Sequence, residues 1–246
     1  MRIVERPDVA SELLSDWEVR DRAAYQSGGN AVASIKELTL CLRAAWFKRK
    51  AGEYGIDLTV LDKRDDTSKL KIMTGVAVEA QLFPDPDQRV EWNTPLGIVS
   101  GRMDATTPIN SEGQGGEPVE NKVTWSKEGG EVSPQYCEQA AGYCLATGKT
   151  WCRLVIEHMA GSWGYKVAPK IVVRDLIFTE QELDQFSQEM FRRLTAVLGD
   201  SPPSMADHFT WECGTAKSAW QCPYKQPGVC AGGPGKTFGF FVDKGL

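Results

Sequence analysis

The sequence predicts an α/β or α+β sandwich, and three observations predict it. Apolar residues recur at helical spacing in well-separated stretches. Short β-like runs punctuated by Pro, Asn and Gly lie between them. The order runs from helices to three strands, then a helix, two strands and a last helix, which favours helices packed on a sheet. The 246 residues are 41% hydrophobic and 25% charged, a globular composition that excludes a coiled coil or a collagen-like rod.

Taken in order, Val9 to Tyr25 has mixed helical spacing and breaks at Ser27-Gly28-Gly29. Ser34 and Glu37 form a capping box for a helix carrying Leu38, Cys41, Leu42, Ala45 and Trp46. Asp57 to Lys69 is charged and reads as a loop, and Leu70 to Phe83 reads as a helix ending before Pro84. Strands are expected at Val90–Trp92, Leu96–Ala105 and Pro118–Trp125, the last two as antiparallel neighbours across the polar Asn110–Gly116 loop. A helix over Pro134–Thr147, strands near Trp151–Met159 and Tyr165–Phe178, and a helix capped by Thr179 and Glu182 and reaching Leu198 complete the core. Beyond Pro202 the chain is irregular and rich in Gly and Pro.

Charge and cysteine usage narrow the function classes. Lys and Arg total 28 against 33 Asp and Glu, so the net charge of −5 provides no global basic field, and any nucleic-acid contact must be local. No run approaches the roughly 20 apolar residues of a membrane span, and Met1 to Asp8 lacks the apolar core of an export signal, so a cytoplasmic protein is expected. Seven cysteines in such a chain disfavour a disulfide framework and point to thiolate metal ligation for some of them.

The densest chemistry lies around Asp104. On the strand Glu120-Asn121-Lys122, alternation puts Glu120 and Lys122 on one face. Pairing with the strand that Asp104 closes would bring that carboxylate in, and Glu79 could reach in from the preceding helix. Clustered carboxylates raise one another's pKa unless a cation sits among them, and oxygen ligands suit Mg²⁺ or Mn²⁺. Such a metal would activate a water, with Lys122 positioning it or stabilising developing charge. Alternating charge on a strand is more often its solvated face, so this pair alone is a weak signal. Order and context strengthen it: Gly75 and Glu79 on a helix, Asp104 at a strand end, Glu120-x-Lys122, then Gln139 and Tyr143 one turn apart on a helix with Gln135 on the same face.

These residues resemble the motifs of the PD-(D/E)xK nuclease superfamily, in its RecB-like branch. The resemblance implies a restriction-endonuclease-like core, a central mixed sheet flanked by helices, in one nuclease domain spanning residues 1–246. It implies catalytic roles for Glu79, Asp104, Glu120, Lys122, Gln139 and Tyr143. Metal ligation would fall to Glu79, Asp104, Glu120 and the Asn121 carbonyl. Glu79 stands where that branch usually has histidine.

Cys213, Cys222 and Cys230 lie in the irregular tail with eight and seven residues between them, far from Cys41. Four soft thiolates suit an iron–sulfur cluster or a tetrahedral zinc, and buried free thiols fit this spacing about as well. One cysteine before the nuclease core and three after it resemble the iron–sulfur subgroup of these nucleases, the AddB nuclease domain and CRISPR-associated protein family four. Cys41 to Phe47 is similar to that subgroup's cysteine-proline-arginine-aromatic segment, with Leu42 in the proline's place. The implied cofactor is an iron–sulfur cluster, 4Fe–4S ahead of 2Fe–2S, with zinc as the alternative. It would clasp residues 34–56 and 205–246 into one lobe, with Trp211 and Trp220 shielding it.

The remaining candidates carry less. Arg43, Lys48 and Arg49 form a basic helix side with aromatic neighbours and, with Gln135, are candidate DNA contacts, although solvated helix charge is commoner. Cys137, Cys144 and Cys152 read as buried apolar residues. His158 and His208 have no ligand-spaced partner, Ser162 lacks a nucleophile elbow, and Gly232 to Thr237 lacks the pattern of a phosphate loop. The expected function is a divalent-metal-dependent DNA exonuclease acting on single-stranded DNA. By the resemblance its setting is CRISPR spacer acquisition with integrase partners, or recombination and repair with a helicase. The alternative is a non-catalytic DNA-binding or assembly subunit with the same fold and clasp.

Overall fold

The computed structural model describes residues 30–54, 66–83, 88–124, 132–159, 170–204, 224, 230, 240 and 241. The expectations for Val9–Tyr25, residues 57–65 and 165–169, Ser162, His208, Trp211, Cys213, Trp220, Cys222 and residues 232–237 fall outside them.

Helix formation begins where Ser34 accepts the Glu37 N–H at 3.1 Å and Glu37 accepts the Ser34 N–H at 3.0 Å, the reciprocal capping box. Strand β1 (Ala33–Ser34) feeds this cap. The helix it starts is short: α1 spans Ile35–Thr39, and a separate helix α2 spans Leu42–Arg49. The single helix expected from the apolar periodicity is therefore two, because Leu40 adopts an extended conformation and Cys41 becomes the N-cap of α2.

Helix α3 runs over Asp66–Leu82, so residues 66–69, expected in a loop, are helical. Strands β2 (Gln88–Thr94) and β3 (Gly97–Met103) form a hairpin, and β1 adds in parallel to β3. Strand β4 (Ala105–Thr106) pairs antiparallel with β5 (Pro118–Thr124), followed by helix α4 (Pro134–Thr147), β6 (Trp151–His158), β7 (Lys170–Ile177) and α5 (Glu180–Leu198).

The expected single central sheet is two sheets, β1-β3-β2 and β4-β5-β6-β7. The run expected from Leu96 to Ala105 splits at Asp104: its first part stays with β2, and two residues beyond the bend pair with β5 as anticipated. Strands β5 and β6 are parallel, with α4 as their crossover, and β6–β7 are antiparallel, so this sheet is mixed. The result is an α+β architecture with mixed sheets flanked by helices.

Helix α4 forms the hub, packing on β2, β3, β5, β6, α1 and α5. Two glycines permit this. A Cβ at Gly142 would lie 2.5 Å from Ile35 Cγ2, and one at Gly101 would lie 2.8 Å from the Tyr143 ring. Helix α5 contributes Leu183, Phe186, Met190, Leu194 and Val197 to the core, and Thr179 and Glu182 form its capping box. No helix among the described residues is long and apolar enough to cross a membrane.

Candidate active site

Asp104 occupies the bend where the chain passes from one sheet to the other. Its N–H donates to the Val119 carbonyl at 3.2 Å, and its Oδ2 accepts the Asn121 N–H at 2.5 Å. Because β4 pairs only with Pro118 and Val119, the Asp104 carboxylate takes over the edge of β5 where strand pairing stops.

On β5, Lys122 donates through Nζ to Glu120 Oε1. Glu120 is 1% exposed, and its second oxygen, Oε2, has no hydrogen-bond partner among the described residues. Glu79, in the last turn of α3, hydrogen-bonds Asp104. A bond between two carboxyls requires a proton shared between them. Burial first, and the Asp104 charge second, push Glu79 up to about 7 against the pull of Arg102 and Lys122. Burial also raises Asp104, opposed by Lys122, the Asn121 N–H and Arg102. Burial lowers Lys122 to about 8, with Asp104 and Glu79 drawing it back up.

The structure thus brings Glu79, Asp104, Glu120 and Lys122 together. Among the described residues no three His, Cys, Asp or Glu side chains surround a common point as ligands. The donor set still fits a hard divalent cation: the acidic side chains offer oxygens, and one buried carboxylate oxygen has no donor among the described residues.

Gln139 and Tyr143 are buried and face inward. Gln139 Nε2 donates to the Tyr143 hydroxyl at 2.7 Å, and that hydroxyl donates to the Arg102 carbonyl at 2.7 Å. They brace the end of β3 just before Asp104, which makes them positioning residues. Gln135 is half-buried one turn earlier. A Cβ added at Gly75 would lie 3.7 Å from Val123, an ordinary contact, so alanine would fit there.

Three neighbours escaped the sequence reading. The Tyr136 ring lies under the Lys122 ammonium, 5.6 Å from centroid to Nζ. Its signal was available, since Tyr136, Gln139 and Tyr143 follow one another at helical i, i+3, i+7 spacing. Arg102 acts on Glu79 and Asp104 through its charge. Glu157 on β6 is buried, receives a hydrogen bond from the Asn121 side chain, and is raised by that burial against the bond. Nothing in its sequence context distinguishes it from other strand carboxylates.

The basic residues on α2 are engaged. Arg43 Nη1 donates to the Pro203 carbonyl at 2.8 Å, and its guanidinium lies 5.6 Å from the Phe47 ring centroid. Lys48 and Arg49 both pair with Glu37, at 3.2 and 3.1 Å. Trp46 and Phe47 are core residues, and Trp46 Nε1 donates to the Gly199 carbonyl at 2.8 Å.

Cys41 and Cys230 are buried. Cys230 packs with Tyr224 against Trp46 and Phe47, and the Tyr224 and Phe47 rings stack at 6.1 Å. The tail therefore returns to the helix that Cys41 caps. Thiolate sulfur is a donor that suits a soft metal, and Cys213 and Cys222 lie outside the described residues. Cys137, Cys144 and Cys152 lie in the core, where burial pushes the first two thiols up to about 11 and about 12 and Cys152 higher still.

No family model matches the chain, and no curated protein matches its sequence. The fold is similar to that in the crystal structure of SSO0001, with a TM-score of 0.57, 17% sequence identity, and coverage of 90% of this chain and 98% of that one, a likeness of fold alone.

Proposed function

We propose that this chain is a divalent-metal-dependent DNA nuclease of the RecB-like PD-(D/E)xK kind, acting as an exonuclease on single-stranded DNA. The observation that carries the reading is the buried Glu120 carboxylate, which has one oxygen on Lys122 and the other without a partner among the described residues, beside the Glu79–Asp104 pair. Glu79, Asp104 and Glu120 are the residues that would hold Mg²⁺ or Mn²⁺, with the Asn121 carbonyl beside them. When bound, such an ion supplies an activated water and offsets charge on the phosphodiester.

The chain's own residues supply the rest. Lys122 presents an ammonium at the edge of the acidic cluster, where it orients the attacking water or donates to a phosphate oxygen. A pKa of about 8 lets it exchange a proton near neutral pH. The Asn121 N–H fixes Asp104, and the Tyr136 ring face steadies Lys122. Cys41, Cys213, Cys222 and Cys230 would hold an iron–sulfur cluster that ties α2 to the tail. The setting we favour is CRISPR spacer acquisition with integrase proteins, or recombination and repair with a helicase.

The test is cleavage of end-labelled single-stranded DNA by anaerobically purified protein, with Mn²⁺, with Mg²⁺ and with chelator, beside Lys122→Ala. Metal-dependent shortening that falls by about 100-fold or more in the variant is expected. No cleavage by a folded preparation would favour the non-catalytic subunit instead. Visible absorbance of the same preparation distinguishes an iron–sulfur cluster from colourless zinc.

A further inference from the structure

Behind the acidic cluster, on the opposite face of β5 from Glu120 and Lys122, lies a second polar pair. Asn121 is 7% exposed and Glu157 3% exposed, and both belong to the parallel β5–β6 ladder. Asn121 aligns with Val155 and Glu157 with Val123, so the two side chains are diagonal neighbours on one face. The Asn121 side chain donates to Glu157, while Asn121 Oδ1 and Glu157 Oε1 have no partner among the described residues.

A buried carboxylate in the middle of a sheet is costly, and a half-satisfied pair is more costly than an apolar one. Leu154 and Val155 on the same strand show that apolar residues fit the neighbouring positions. What distinguishes Asn121 is its other contact, the 2.5 Å bond from its N–H to Asp104 Oδ2. Its backbone orientation therefore sets where the Asp104 carboxylate points, and its side chain is the part that Glu157 holds.

We infer that Glu157 is a positioning residue for the metal site, acting through Asn121 on Asp104. This rests on the reading of the acidic cluster given above. Groups that orient metal ligands from behind cost about 10- to 100-fold in metal affinity when they are removed. Glu157 meets that description although it touches neither the cation nor the substrate.

The test is Mn²⁺ binding to the full chain without DNA, followed by electron paramagnetic resonance, in wild type, Glu157→Ala, Glu157→Gln, Asn121→Ala and the Asn121→Ala/Glu157→Ala double variant. Glutamine can still accept from the Asn121 amide, so Glu157→Gln should bind within about twofold of wild type. Either alanine variant should need about tenfold more Mn²⁺ or beyond. The double variant should lose no more than one single variant, because the two residues act in series. If Glu157→Ala does not fold, Asn121→Ala and Glu157→Gln still decide. Wild-type affinity in Asn121→Ala, or additive losses in the double variant, would overturn the inference while leaving the nuclease reading in place. Absence of Mn²⁺ binding in the wild type would remove both.

Discussion

Glu120 and Glu138 are both fully buried carboxylates, one on β5 and the other on α4, the helix packed against it. Glu138 is completely partnered. Arg193 Nη1 donates to its Oε2, while Arg193 Nη2 at 3.2 Å and the Phe240 N–H at 2.6 Å donate to its Oε1. Arg193 further donates to the Leu38 carbonyl at 3.0 Å and to Glu189 at 2.7 Å, so one ionic junction ties α1, α4, α5 and the tail together. Among the described residues Glu120 has one donor and one bare oxygen, and burial raises the nearby Glu79 to about 7. The same chemical group is thus satisfied where it holds the fold and left short where it would meet a cation. A buried charge with every donor in place is architecture, and one held open is a candidate for chemistry.

Breaking the satisfied side should have the largest effect on stability. Arg193→Met leaves Glu138 buried without its partner and should cost about 3–5 kcal/mol in urea unfolding. Adding Glu138→Met should recover most of that loss, since a matched apolar pair removes the stranded charge. A single variant that unfolds at the wild-type urea midpoint would contradict the junction's role.

On the open side the expected stability effect has the opposite sign. Mn²⁺ at about 100 times its dissociation constant should stabilise the folded protein by about 2.7 kcal/mol. Arg193→Met, if folded, should keep that gain, and Glu120→Gln should lose it. Thermal unfolding with and without Mn²⁺ reads both.

The pH dependence sharpens the comparison further. Glu79 moves from 4.5 to about 7 on folding, so the native state binds its proton more tightly than the unfolded state. Its contribution to metal-free stability is therefore full below about pH 4.5 and is lost as pH rises to about 7. Because the cation needs the deprotonated carboxylate, Mn²⁺ affinity should climb through the same window and level off above about 7. Glu79→Gln should flatten both curves. The smallest effect is expected from Thr179→Ala at the cap of α5, about 1 kcal/mol, with Mn²⁺ affinity unchanged.

These two regions were not equally legible in the sequence. The capping boxes at Ser34/Glu37 and Thr179/Glu182 and the helix Pro134–Thr147 depend on residues a few positions apart, and the structure reproduces them. The acid-x-lysine strand is also local, and Asp104 could be linked to it because their strands were expected to pair. The break at Leu40–Cys41 was hidden because Leu38, Leu42, Ala45 and Trp46 keep helical spacing through it. The division into two sheets was hidden because a single bent residue, Asp104, interrupts an otherwise continuous β run. The Glu138–Arg193 junction joins residues 55 positions apart, and no local pattern announces it. Glu157 was missed for the same reason, since its significance comes from the strand beside it.

The most direct test of this contrast is calorimetric titration of Mn²⁺ into the wild type and Glu120→Gln, with urea midpoints confirming that both are folded. Saturable binding in the wild type that weakens by tenfold or more in the variant is the result expected. Equal binding by the two proteins, or none by the wild type, would contradict the assignment of the open carboxylate cluster as a metal site.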